Sequence, residues 1–158
     1  MKSIKRVKPI ICWMLVILWC GVIFSMSAST ADESAAQSEG FIRTLASVFS
    51  IELDSTIVES VHNVVRKCAH FAEYAVLGVL LSAAVGCHKQ NGLSRAAIAF
   101  SAGAVYAVTD EIHQLFVPGR AGMLKDVLLD SLGVASGIAV AALIILIIGK
   151  FRAKINKN

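Results

Sequence analysis

The sequence predicts an all-α, polytopic membrane protein with four transmembrane helices and short amphipathic helices in the outer segment between the first two. Three observations predict it. Hydrophobic residues make up 56% of the 158-residue chain and the mean hydropathy is +0.71, too oily for an ordinary soluble domain of this size. Long uncharged runs cover residues 9–31 and 131–149, each able to cross a hydrocarbon core of about 30 Å, which takes roughly 20 helical residues. Shorter runs at 74–88 and 96–109 reach spanning length when Ala69–Glu73 and Asp110–Phe116 are added to them. The whole chain, 1–158, therefore reads as one domain with spans near 10–28, 69–87, 95–115 and 128–149 and an outer segment at 29–68.

Basic residues orient the spans. Lys2, Lys5, Arg6 and Lys8 precede the first, Lys89 and Arg95 lie between the second and third, and Lys150, Arg152, Lys154 and Lys157 follow the fourth. The 29–68 segment instead carries Asp32, Glu33, Glu39, Glu52, Asp54 and Glu59. Both termini are thus expected in the cytoplasm. The net charge of +4 serves topology and anionic lipid, so nucleic acid is not an expected partner. The first span is apolar all round, with Trp13 and Trp19, and is expected to be a lipid-facing wall. Its basic start and Ser27-Ala28-Ser29 also fit a cleaved signal peptide. Retention is favoured, because an even span count with both ends inside needs it.

Beyond it, Ser27–Gly40 is small and acidic, as a loop is. Phe41, Leu45, Val48 and Phe49, then Ile57, Val58, Val61, Val64 and Val65, recur at helical spacing and predict two short amphipathic helices on the membrane surface. Thr56 with Glu59 fits a capping box for the second, with Asp54 or Ser55 as competing caps. The second span opens at Arg66-Lys67. A turn around Gln90-Asn91-Gly92 leads to the third, which Pro118-Gly119 stops. Gly133, Ser136 and Gly137 let the first half of the fourth span pack closely, while 139–148 faces lipid. Cys12, Cys20, Cys68 and Cys87 suit apolar packing better than disulfides.

Three polar faces then need partners. In RKCAHFAEY (66–74), Lys67, His70, Glu73 and Tyr74 follow helical spacing; in TDEIHQLFVPGR (109–120), Asp110, His113 and Gln114 stand at i, i+3 and i+4; Asp126 and Asp130 are an i, i+4 pair. The alternating span directions put all three at the outer boundary, with Arg120 and Lys125 in the loop beside them. Ionisable residues inside a span are costly and mark functional sites by default. His70, Glu73, Asp110, Glu111 and His113 could transfer protons or bind a divalent metal, although DEIH is not the HExxH zinc signature. Lys67, Arg120 and Lys125 could hold a phosphate or carboxylate.

These motifs, with DVLLDSLGVASG at 126–137 and the FSMSAS–DES–QS pattern at 24–38, resemble the VanZ-like membrane proteins, named for teicoplanin resistance. The resemblance runs in order from Ile11 to Gly137. Matching positions are Arg66, Lys67, His70, Glu73, Asp110, Glu111, His113, Gln114, Arg120, Asp126 and Asp130, the first two and the last four forming a substrate-binding set and the five between them a candidate catalytic set. It implies a bacterial cell-membrane protein contributing to resistance against teicoplanin-type glycopeptides or other envelope-active agents. The expected partner is a membrane lipid, a lipid-linked envelope precursor or an amphiphilic antibiotic. A non-enzymatic module that shields a target or assembles with envelope synthesis enzymes is the competing expectation; a transporter fits less well, since no broken helix is evident.

Overall fold

Five helices account for nearly all of the chain, and no strand occurs among the residues described by this computed structural model, 2–51, 54–88 and 91–155. Glu52, Lys89, Gln90 and Lys157 lie outside the described residues, as do the side chains of Lys2, Lys5, Arg6, Thr56, Ile57 and Glu59. The helices are α1 (Lys2–Ser27), α2 (Ala31–Val48), α3 (Ser55–Gly86), α4 (Gly92–Gln114) and α5 (Leu124–Ile155). Three contain stretches long and apolar enough to cross a membrane: Val7–Ser27, Val61–Gly86 and Leu124–Ile155. The 23-residue α4 packs among them.

Directions follow from which ends meet. Trp13 of α1 donates to His88 just past α3 (3.3 Å), and Trp19 donates to the Glu73 carbonyl within α3 (2.9 Å), so these helices are antiparallel. Arg95 near the start of α4 lies against Gly86 at the end of α3. Gly133 faces Phe71 and Tyr74, and Gly137 faces Ala75 and Val79, so α5 runs parallel to α3. A methyl group on Gly137 would overlap the Ala75 carbonyl oxygen, and one on Gly133 would come 2.6 Å from that of Phe71. This seam requires glycine because the two backbones touch. Around it Tyr74, Leu77, Leu81, Ala84, Ala99, Ala107 and Val134 form the core.

Helix α1 is not apolar all round in its surroundings. Val16, Ile23 and Ser27 are buried and Cys12, Trp19 and Cys20 are partly so, a single stripe at helical spacing, while Met14, Ile17 and Leu18 face outward. The expected lipid-facing wall therefore has one packed side, sealed by the Tyr106 hydroxyl donating to the Cys20 carbonyl at 2.6 Å. Cys12 and Cys87 lie side by side as free thiols, Sγ to Sγ 3.6 Å.

The segment after α1 departs furthest from expectation. Residues 31–40 are helix, not loop: Thr30 accepts from the Glu33 amide (3.3 Å) and Glu33 accepts from the Thr30 amide (2.8 Å), a reciprocal capping box. The bond from the Thr30 backbone amide, followed by the Thr30 side-chain hydroxyl, holds the Glu33 carboxyl below its usual pKa. Nor do two short helices lie on a surface. Residues 55–65 continue unbroken into the second span as one 32-residue α3, with Asp54 at the N-cap position, because 55–77 contains no proline or glycine and Arg66-Lys67 favours helix. Helix α2 folds back along the first half of α3 and buries Ser34, Ser38, Ile42 and Ala46 against it. The apolar stripe read from the sequence is the outward one: Phe41 is 58% and Phe49 67% exposed.

Candidate functional site

Four helices deliver polar side chains to one end of the bundle. The last turn of α1 supplies Ser27, the middle of α3 supplies Arg66 to Tyr74, the last turn of α4 supplies Asp110, Glu111 and Gln114, and the start of α5 supplies Asp126 and Asp130. The turn from 115 to 123 closes over them. Gly119 adopts φ +73°, a left-handed conformation suited to glycine, and the neighbouring Pro118 carbonyl accepts from the Ala31 amide at 3.4 Å. That docking seats Arg120, whose Nε donates to the Ser29 carbonyl at 3.2 Å. Burial, followed by the nearby Arg66 charge, pushes the Arg120 pKa below its ordinary value. Two guanidiniums thus share one mouth.

Below the mouth is a cavity of about 210 Å³ lined by Arg66, Lys67, His70, Glu111, Gln114, Gly119, Arg120, Ala121, Met123, Asp126, Leu129 and Asp130. Lys67 reaches across to Asp126 at 3.2 Å, joining α3 to α5. The Glu111 carboxylate accepts from the Met123 amide at 2.8 Å and so fixes the end of the turn. At the floor, Asp130 is only 2% exposed and Asp110 only 3%. Ser27 donates to Asp110 Oδ2 at 2.8 Å and Gln114 to the same oxygen at 3.4 Å. The Asp110 Oδ1, Tyr74 hydroxyl, Glu73 Oε2 and His113 Nδ1 are buried without a hydrogen-bond partner. Donor atoms of His70, Asp110 and Asp130 all come within 4.8 Å of one another.

A second, larger hollow of about 490 Å³ lies next door, between α2 and α3. Met26, Phe41, Val64, Val65, Cys68 and Ala69 give it apolar walls, and Ser34, Gln37, Ser38 and Glu73 line it too. Arg66, His70 and Arg120 belong to both spaces. A charged chamber therefore shares one basic wall with an oily groove.

Not all residues singled out from sequence meet there. Eight of them, Arg66, Lys67, His70, Glu111, Gln114, Arg120, Asp126 and Asp130, line the chamber, and Asp110 reaches its floor. Glu73 turns to the groove instead. His113 lies on the side toward α1, its ring against that of Phe24 with centroids 4.2 Å apart: at 3.6 residues per turn it stands about 60° to one side of Asp110 and Gln114 about 40° to the other, so the two look to different neighbours. Lys125 is exposed and does not line the chamber. Ser27 is the residue sequence reasoning missed. Its partner is 83 positions away, and a lone hydroxyl at a helix end carries no periodic signal.

No curated protein and no solved structure matches this chain. The sequence model of the VanZ/LLP1 family matches residues 12–146, which include every side chain of the chamber and the groove, and the protein belongs to that family.

Proposed function

We propose that this chain is a four-span protein of the bacterial cell membrane, both termini cytoplasmic, that binds a lipid-linked envelope component, or an amphiphilic antibiotic, at its outer face. By acting on that component it contributes to resistance against teicoplanin-type glycopeptides or other envelope-active agents. The observation that carries this reading is the basic wall common to chamber and groove. An amphiphile fits such a pair of spaces: its anionic headgroup enters the chamber, where the forks of Arg66 and Arg120 match phosphate or carboxylate oxygens, and its chain lies along Met26, Phe41 and Val64. Lys67, Gln114, Asp126 and Asp130 complete the headgroup contacts. His70, Asp110 and Glu111 supply proton transfer if the headgroup is altered, with Glu73 facing it from the groove side. The fourth span is α4, whose length matches the about 20 residues a crossing takes.

Cells producing the wild-type chain, or variants with Arg120, Glu73, Asp110 or His113 replaced by alanine at matched abundance, provide the test. Teicoplanin susceptibility of the Arg120→Ala and Asp110→Ala strains is expected to return toward that of cells without the protein. Full protection by all four variants would end the proposal. The exposed Phe41, Leu45, Val48 and Phe49 edge of α2 favours a second reading, a non-enzymatic module that assembles with an envelope synthesis enzyme. In that case Phe41→Ser and Phe49→Ser abolish protection while the arginine variants keep it.

A further inference from the structure

The floor of the chamber has an electrostatic deficit. Asp110 and Asp130 are almost fully buried, with donor atoms close to each other and to His70. Neither makes an ion pair among the described residues: Lys67 is engaged by Asp126, and Arg43 pairs with Glu39 on α2. Around the chamber and the adjoining groove stand five carboxylates, Glu73, Asp110, Glu111, Asp126 and Asp130, against three fixed cations, Arg66, Lys67 and Arg120. The shortfall is two positive charges. Burying unpaired carboxylates is expensive unless a cation or protons neutralise them.

Asp110 adds an independent observation. Ser27 and Gln114 both bond its Oδ2, which leaves Oδ1 without a partner although the residue is 3% exposed. Donors that fix one oxygen of a carboxylate and leave the other free are what an outer shell does for a metal ligand. One imidazole and two carboxylates are a donor set that suits zinc or manganese, and three protein ligands leave a position open toward the chamber.

We propose that His70, Asp110 and Asp130 bind one divalent transition-metal ion, zinc or manganese, at the floor of the chamber, with Ser27 and Gln114 orienting Asp110. Ligand bonds of about 2.0–2.2 Å suit donors that lie within 4.8 Å of one another, any adjustment being within the reach of side-chain torsions. The ion supplies the two missing charges and faces the space where Arg66 and Arg120 point. This deepens the headgroup reading and rests on it for what the ion would polarise; binding of the ion itself does not depend on it.

The full chain is purified in detergent without a polyhistidine tag, stripped with chelator, equilibrated with zinc or manganese alone, and assayed for bound metal by mass spectrometry. About one ion per chain is expected, with a rise in Tm on loading. Asp130→Asn and His70→Gln should weaken binding at least ~10-fold, while Glu39→Gln, on α2 where its carboxylate pairs with Arg43 and lines neither the chamber nor the groove, keeps it. Wild-type chain that takes up neither metal overturns the proposal without reference to any variant, and equal loss in Glu39→Gln overturns the assignment to the triad. Metal uptake beside unchanged teicoplanin protection in Arg120→Ala would instead sink the headgroup reading and leave the ion in place.

Discussion

Ser27 and Asp110 show how much one hydrogen bond can carry at this site. The hydroxyl is fully buried, and it is the shorter of the two donors to Asp110 Oδ2. Ser27→Ala removes that donor and leaves a buried carboxylate oxygen with the 3.4 Å contact to Gln114. The expected loss is about 1.5–3 kcal/mol of stability, the range for hydrogen bonds to charged groups. Ser25→Ala is the internal comparison, because its hydroxyl is exposed and donates only to the Gly21 carbonyl one turn back; a change within about 0.5 kcal/mol is expected there. Thermal unfolding of both variants in the same detergent separates them. The acids and bases of the site were legible because ionisable residues are conspicuous inside apolar runs. Their grouping at one end was legible from the alternating directions of the spans, but not the way each side chain would turn: His113, three residues after Asp110, lies against Phe24 instead of in the chamber.

At the scale of elements, the glycines of α5 and the cap of α2 illustrate two kinds of signal. Gly133 and Gly137 stand four residues apart in an apolar run, and close helix contact was expected of them; they make the α3–α5 seam. Thr30 and Glu33 stand at capping-box spacing, a signal that the reading of 27–40 as a loop, made on its small and acidic composition, did not use. The fusion of 55–65 with the second span was hidden for another reason: Arg66-Lys67 marks a membrane boundary by charge, yet charge does not interrupt a helix. The seam makes a sharp prediction. Gly137→Val forces a side chain onto the Ala75 carbonyl and should cost about 1–3 kcal/mol or more, with the folded fraction falling accordingly. Gly149→Val, where nothing lies within 4 Å, should leave folding unchanged. Comparing monodisperse yield and Tm of the two variants checks it.

For the molecule as a whole, one end of the bundle holds nearly all the acidic side chains near the helices and the other holds basic ones. Ser27, His70, Asp110 and Asp130 are gathered at the first end, while Lys8, Arg95 and the Gly86 turn meet at the second, around a separate hollow of about 530 Å³. Helix α5 runs on beyond that second end: its 32 residues span about 48 Å at 1.5 Å each, more than the roughly 30 Å of a hydrocarbon core. Its exposed Leu143 to Ile148 stretch passes into Lys150, Arg152 and Lys154. Such a charge division is what the positive-inside rule reads, and it predicts the chamber mouth outside the cell. In a chain whose native cysteines are replaced, Ala121→Cys in the exposed turn should react with a membrane-impermeant maleimide in intact cells, and Lys154→Cys only after permeabilisation. The reverse pattern would place the arginine wall in the cytoplasm. The packing of α3, α4 and α5 would survive that result, because it rests on contacts between helices, but an outer-face headgroup site would not, because no extracytoplasmic ligand could reach Arg66 and Arg120.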